Sequence, residues 1–280
     1  MENILTIESP QNPRVKAAVK LRKNRVRKES GQTLVEGFRE ILRATESGWA
    51  FIELYFCPEL YLDSDEYQLV SKIREHGIPV FQCSEAAFRK MSYRDTPDGL
   101  IALSPLVGRT LAELELPGNP LLLIADNLEK PGNLGTILRT ADAAGADAVI
   151  VCGNKTDINN PNTIRASIGT LFFMPVVETS TEETLQWLEK RGIRSVAAVP
   201  NAELEYTDAD LCGGTAIVVG AEDEGLSKKW MDGADQQVSL PMHGKNDSLN
   251  VATAAAILLY EALRQRSSSC TDPPTKTWQH

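Results

Sequence analysis

Histidine and paired cysteine are scarce in this sequence of 280 residues, which has three histidines (His76, His243, His280) and five dispersed cysteines (Cys57, Cys83, Cys152, Cys212, Cys270) with no CxxC pair. That material builds neither a disulfide framework nor a zinc site, and no metal is expected. It also leaves little for a serine-histidine-acid triad. Long apolar runs are missing: none approaches the roughly 20 residues that span a bilayer. The chain opens on Glu2 and Asn3 rather than on a basic, then apolar, leader, so no membrane partner and a cytoplasmic location are expected. Neither GxGxxG after a strand nor GxxxxGK[ST] occurs, which removes two familiar nucleotide fingerprints.

What is present is ordinary globular material, 42% hydrophobic and 24% charged, in a chain long enough for two domains. The net charge of −9 argues against a generic nucleic-acid binder, because phosphate contacts need cations. The charge is unevenly spread. Residues 1–50 hold ten Lys or Arg against six Asp or Glu. Arg14, Lys16, Lys20, Arg22, Lys23, Arg25, Arg27 and Lys28 alternate with small apolar residues in a pattern that reads as one basic helix. Such a run is either an electrostatic foot on RNA phosphates or a plain solvated face.

β-rich runs follow at 33–36, 52–56, 80–83 and 100–103, separated by amphipathic stretches at 41–45 and 67–75, which predicts a small α/β domain. Prolines and glycines between 104 and 120 mark a boundary. The expected division is therefore a first domain over 1–105, a linker over 106–119, a second domain over 120–267 and a disordered tail over 268–280. In the second domain the apolar runs 121–125, 148–152, 195–199 and 216–219 suit strands buried on both faces of a parallel sheet. A helix is predicted at 181–190.

Parallel sheets bind ligands at the carboxyl ends of their strands, which directs attention to three loops. The first, 126–135, enters a helix whose buried stripe is Leu134, Ile137, Leu138, Ala141 and Ala144. Arg139 lies away from that stripe, one turn after Gly135, where the bare glycine leaves room for a substrate; the plainer alternative is a surface pair with Asp142 at i+3. The second loop, 219–227, carries Gly220, Ala221, Glu222 and Gly225. Leu240, Pro241 and Met242 open the third, which leads through Ser248, Leu249 and Asn250 into an apolar helix over 249–263, with Ser248 as its expected N-cap. That helix needs burial on several sides, by its own domain or by a second subunit. Spacing alone stops at an α/β ligand-binding protein with a basic N-terminal arm.

In order, Asn133-Leu134-Gly135-Thr136-Ile137-Leu138-Arg139, then Gly220-Ala221-Glu222-Asp223-Glu224-Gly225, then Leu240-Pro241-Met242 with Ser248-Leu249-Asn250-Val251 resemble the three motifs of the SpoU (TrmH-like) RNA 2′-O-methyltransferases. Residues 164–169, with Arg165, resemble a further stretch of that family. Ser9-Pro10-Gln11-Asn12-Pro13-Arg14 and Val35-Glu36-Gly37 are similar to the RNA-binding domain, itself like small ribosomal proteins, that precedes the catalytic domain in ribosomal RNA methyltransferases.

The resemblance implies an α/β chain whose C-terminal parallel-sheet domain has the SPOUT fold with a deep trefoil knot, an exception to the general absence of knots. It implies S-adenosyl-L-methionine held by Gly220, Ala221, Glu222, Leu240, Pro241, Met242, Ser248, Leu249 and Asn250. It further implies a homodimer, and RNA contacts from Arg14, Lys16, Lys20, Arg22, Lys23, Arg25 and Arg165. Catalysis would fall to Arg139 with Asn133, Glu222, Ser248 and Asn250. Because free arginine titrates above about 12, Arg139 is read as fixing the hydroxyl and its phosphate rather than as a literal base. The expected reaction is methylation of a ribose 2′-hydroxyl, with 23S ribosomal RNA as substrate. Transfer RNA as substrate, or a non-catalytic RNA-binding assembly factor, are the alternatives.

Overall fold

The computed structural model describes residues 4–153 and 155–269. Cys270, His280 and nearly all of the expected tail lie outside the described residues. The chain divides into two compact units that are not contiguous in sequence. One takes in residues up to Gly108 with Lys130–Thr136 and Thr156–Met174; the other takes in Arg109–Glu129, Ile137–Lys155 and the chain from Pro175 onward.

The first unit is built on five strands, β1 (Leu5–Ile7), β2 (Gln32–Glu36), β3 (Glu53–Phe56), β4 (Val80–Cys83) and β5 (Leu100–Pro105), in the order β1-β4-β3-β5-β2. Five helices accompany them: α1 (Pro13–Lys20), α2 (Asn24–Ser30), α3 (Phe38–Glu46), α4 (Asp65–Glu75) and α5 (Glu85–Met91). Helix α6 (Pro131–Ala143) starts in this unit and ends in the other, while α7 (Pro161–Ala166) belongs to it entirely. The segment around α7 is stitched in by the Thr33 hydroxyl, which donates to the Asn159 carbonyl at 2.7 Å, and by Arg43, which donates to the Ile168 carbonyl at 2.9 Å. Asn159 also exchanges two hydrogen bonds with the Val107 backbone.

The basic run is two helices rather than one. Asn12 caps α1 through a hydrogen bond from the Arg14 amide, α1 stops at Leu21, and α2 restarts at Asn24 and ends on Gly31 in the left-handed conformation (φ 67°). Leu21 is buried, so the break turns an apolar anchor inward between the two pieces. The charges have separate fates as a result. Lys16, Lys20 and Lys23 are exposed. Arg25 pairs with Glu29 at the surface, Arg14 pairs with Glu53 beside the Phe81 ring, and Arg22 donates to the Ser92 carbonyl at 2.6 Å. Arg27 is buried: its guanidinium, 3% exposed, pairs with Asp157 and donates to the Leu21 carbonyl at 2.7 Å.

The second unit is a six-stranded parallel sheet of β6 (Leu121–Asp126), β7 (Ala148–Cys152), β8 (Val176–Thr179), β9 (Arg194–Ala198), β10 (Thr215–Val219) and β11 (Gln236–Val238), in the order β11-β9-β10-β6-β7-β8. With it go α8 (Thr181–Arg191), α9 (Lys228–Gly233) and α10 (Val251–Ser269). A capping box of Ser180 and Glu183 starts α8, and Gly192 at φ 64° ends it. Strands β6, β7 and β10 are buried throughout. The expected linker is anchored, since the Arg109 amide donates to the Val176 carbonyl at 2.8 Å and Thr110 and Glu113 form a capping box.

Helix α10 continues through Ser269, two residues into the stretch expected to be disordered. Its end is pinned by Arg266, whose guanidinium donates to the carbonyls of Leu211, Asn119, Pro120 and Gly213. No helix among the described residues is long and apolar enough to cross a membrane.

Two neighbouring arginines should therefore respond differently to the same change. Arg27→Met, which strands a buried carboxylate, is expected to cost about 3–5 kcal/mol of stability, whereas Arg25→Met, at an exposed i,i+4 pair, should stay within about 0.5 kcal/mol. Denaturant titration of both variants checks this.

Candidate functional site

The order of the parallel sheet creates a switch point. From β6 the chain moves outward through β7 and β8, then returns to the other side of β6, where β10 inserts between β9 and β6. At such a point the loops after neighbouring strands diverge and leave a crevice. A cavity of about 540 Å³ lies on the far side of β10 from β6, at the carboxyl ends of β9, β10 and β11 and the start of α10, within the range of roughly 300–1,000 Å³ usual for small-molecule sites.

Much of its wall comes from the second and third loops singled out in the sequence. Gly220, Ala221, Glu222, Leu240, Met242, Ser248 and Leu249 all line it, while Pro241 and Asn250 do not. The loop after β10 is a tight reversal. Ala221 and Gly225 exchange backbone hydrogen bonds of 3.1 and 2.9 Å, and Gly225 has φ 68°. Gly220 is required by packing, because a Cβ there would lie 2.4 Å from the Gly225 carbonyl carbon and 2.5 Å from the Leu226 nitrogen. The residues at the tip, Glu222, Asp223 and Glu224, are all acidic.

Two partners fix that loop. Asp126, wholly buried at the end of β6, accepts from the Ser227 amide at 2.7 Å and from the Thr181 hydroxyl at 3.3 Å, tying the loop after β10 to the neighbouring strand. The Asn250 amide group donates to Glu222, and its carbonyl oxygen accepts from the Ala252 amide at 3.0 Å. Asn250, not Ser248, is thus the N-cap of α10. The cap has moved because the side chain two residues before the Ala252 amide reaches it, while Ser248 is left to face the cavity.

Sequence reasoning missed the wall formed by Ala198, Val199 and Pro200. Nothing in the residues after β9 marks them; only the sheet order brings that strand end beside β10. Also unanticipated were Val238 and Ala254, an edge-strand residue and a small helical residue that face the cavity.

On α6, Arg139 is exposed and its guanidinium has no hydrogen bond or ion pair among the described residues, so the alternative pairing with Asp142 is not made. The space at Gly135 is not open. A Cβ would lie 2.3 Å from Ala166 Cβ and 2.7 Å from the Ser167 nitrogen, so the glycine is there to let α7 lie against α6, not to admit a substrate. Asn133 is partly exposed in the first turn, and Arg165 is exposed on α7. No group of three or more metal-ligating side chains occurs among the described residues. The Cys152 thiol at the end of β7 is pushed up to about 12 by burial, which removes it as a nucleophile near neutral pH.

The fold is a parallel α/β sheet with a cavity of small-molecule size at the carboxyl ends of β9, β10 and β11. Residues 120–260 match the SpoU rRNA Methylase family and residues 12–102 the MRM3-like substrate binding domain. The chain is 32% identical over 251 residues to a 23S rRNA (uridine(2479)-2′-O)-methyltransferase of Streptomyces viridochromogenes, covering 88% of this chain and 87% of that one. To a 23S rRNA (guanosine(2553)-2′-O)-methyltransferase of Bacillus subtilis it is 32% identical, covering 91% of this chain and 97% of that one. An AdoMet-bound rRNA methyltransferase from Sinorhizobium meliloti superposes with a TM-score of 0.85 at 29% identity, over 93% of this chain and 98% of that one. The chain belongs to the SpoU rRNA methylase family.

The cap assignment has a direct consequence. Asn250→Ala is expected to cost about 1 kcal/mol, and Ser248→Ala less than about 0.5 kcal/mol, as read from thermal or denaturant midpoints.

Proposed function

We propose that this chain transfers the methyl group of S-adenosyl-L-methionine to a ribose 2′-hydroxyl of 23S ribosomal RNA. The observation that carries the reading is the cavity at the carboxyl ends of β9, β10 and β11, walled largely by family-motif residues, in a chain whose relatives are 23S rRNA 2′-O-methyltransferases. The cavity fits the cofactor chemically. Val219, Val238, Leu240 and Leu249 offer apolar walls to the adenine ring, and Glu222, Asp223, Glu224 and Asp247 give an acidic rim to a sulfonium cation. When bound, S-adenosyl-L-methionine supplies a methyl group activated by positive charge on sulfur.

The chain's own residues have the remaining tasks. Gly220, Ala221, Glu222, Leu240, Pro241, Met242, Ser248, Leu249 and Asn250 are proposed to hold the cofactor. An exposed guanidinium with no partner among the described residues is available to an anion, so Arg139 is assigned to the 2′-hydroxyl and its neighbouring phosphate, aligning the oxygen as it loses its proton. Asn133, Glu222, Ser248 and Asn250 orient the ribose and the arginine. Apolar walls exclude water from a reaction that disperses charge.

The proposal extends to the architecture. Residues 1–105 act as the RNA-binding domain, similar to small ribosomal proteins, and residues 120–267 as the catalytic SPOUT domain with a deep trefoil knot, joined by 106–119. The protein works in the cytoplasm as a homodimer. Support for the dimer is Tyr260, 50% exposed on α10, with Ala256 and Ile257 only partly covered. Contacts to RNA are assigned to Arg14, Lys16, Lys20, Arg22, Lys23, Arg25 and Arg165, of which the three lysines present exposed charge on α1 and at the start of α2.

The test is transfer of labelled methyl from S-adenosyl-L-methionine to ribosomal RNA, with transfer RNA in parallel and resistance to alkaline cleavage locating the modified ribose. Label in ribosomal RNA is expected. Label confined to transfer RNA would reassign the substrate, cofactor binding without transfer to either would point to an assembled particle or another RNA as substrate, and no cofactor binding would point to an assembly factor. Arg139→Ala should lower turnover by at least about 100-fold, the size of a lost transition-state contact, while leaving cofactor affinity within about threefold. Replacing Lys16, Lys20 and Lys23 together by Gln should reduce the salt slope of RNA binding by about 2–3, roughly one per lost phosphate contact. An unchanged slope would make that surface a plain solvated face.

A further inference from the structure

Lys155, just after β7, reaches two carboxylates on two other loops. Its ammonium lies 2.8 Å from Glu129 Oε1, in the loop between β6 and α6, and 2.7 Å from Glu224 Oε2, in the loop after β10. In the sheet these three strands run β10-β6-β7, so the contact starts beyond β7, meets the loop of the middle strand and ends at the loop two strands away. With strands about 4.8 Å apart, that is a span of about 10 Å, close to what the lysine and glutamate side chains together can bridge.

The arrangement contributes little to stability. The side chains are 34%, 55% and 69% exposed, and ion pairs of that kind are screened by water and opposed by side-chain entropy. What it alters is local. Glu222, Asp223 and Glu224 are three consecutive carboxylates at the tip of the loop that walls the cavity, and like charges so close push the tip apart. One end of the tip is held by Asn250 through Glu222; the other is held by Lys155 through Glu224. The two carboxylates hold the Lys155 ammonium strongly protonated, so the contact persists across the physiological range.

We propose that Lys155 is a positioning residue, an ionic strap that holds the acidic loop of the cofactor cavity closed and in register with the loop leading into the Arg139 helix. This rests on the reading of that cavity as the S-adenosyl-L-methionine site. If the closed loop is the binding-competent form, losing the strap lowers the competent fraction and weakens apparent affinity by the same factor.

The experiment compares Lys155→Met, Lys155→Arg and, as a charge control away from the cavity, Lys190→Met. Hydrogen exchange of the amides of residues 221–226 is followed in the protein without cofactor, and S-adenosyl-L-methionine affinity is measured by calorimetry. For Lys155→Met, exchange should quicken and Kd rise by about 3- to 10-fold, the size that two exposed ion pairs supply. Lys155→Arg should stay near wild type, Lys190→Met should match it, and about 0.5 M salt should bring wild type toward Lys155→Met. Exchange in Lys155→Met equal to wild type, or equally quickened in Lys190→Met, overturns the strap. Quickened exchange in Lys155→Met, together with a wild type that binds no S-adenosyl-L-methionine, would keep the strap and remove the methyltransferase reading instead.

Discussion

The candidate site depends on the pairing of β10 with β6. Five residues of each strand match in parallel register, Thr215 with Leu121 through Val219 with Ala125, and every one of them is buried. Strands separated by some 90 residues meet here because each is apolar on both faces and each needs a covered neighbour. Their pairing sets the carboxyl end of β6 beside the glycine loop after β10. Asp126 then locks that neighbourhood: a buried carboxylate is costly unless satisfied, and its acceptors are filled by the Ser227 amide and the Thr181 hydroxyl. The loop geometry at Gly220 and Gly225 and the attachment of Glu222 to Asn250 follow from it.

Charge raises a second issue. A chain of net −9 that works on RNA has to place its cations where they count. Half of the N-terminal basic run is paired within the chain, with Glu53, Glu29, Asp157 and backbone carbonyls, and Arg27 is buried outright. Composition alone overstates the cationic surface. The lysines of the run stay exposed, and Arg139 adds an exposed guanidinium without a partner among the described residues. The acidic rim of the cavity suits a sulfonium ligand, and its mutual repulsion is met by Asn250 on one side and Lys155 on the other.

Much of the architecture was legible in the sequence. Strands β6, β7, β9 and β10 stand within a residue or so of the apolar runs that announced them, and so do β2 to β4, while β5 runs two residues past its own. The strands that were not seen, β1, β8 and β11, are all at sheet edges. An edge strand of three or four residues is covered on fewer sides, so it carries no continuous apolar run and no clean alternation. The basic run read as one helix because the alternation of lysine and alanine continues through Leu21; that this leucine turns into the core and breaks the helix is a packing fact.

The sequence by itself determined the fold class, the family through its three ordered motifs, and the loops that wall the cavity, because strand burial and short motifs are written in neighbouring residues. Only the tertiary structure decided that Pro200 and Ala198 complete the cavity, that Asn250 rather than Ser248 caps α10, that Ala166 fills the space at Gly135, and that Lys155 spans three loops. Most of these are contacts between residues far apart in the chain, fixed by the order of strands in the sheet and by which side chains were left to meet once the apolar strands were buried.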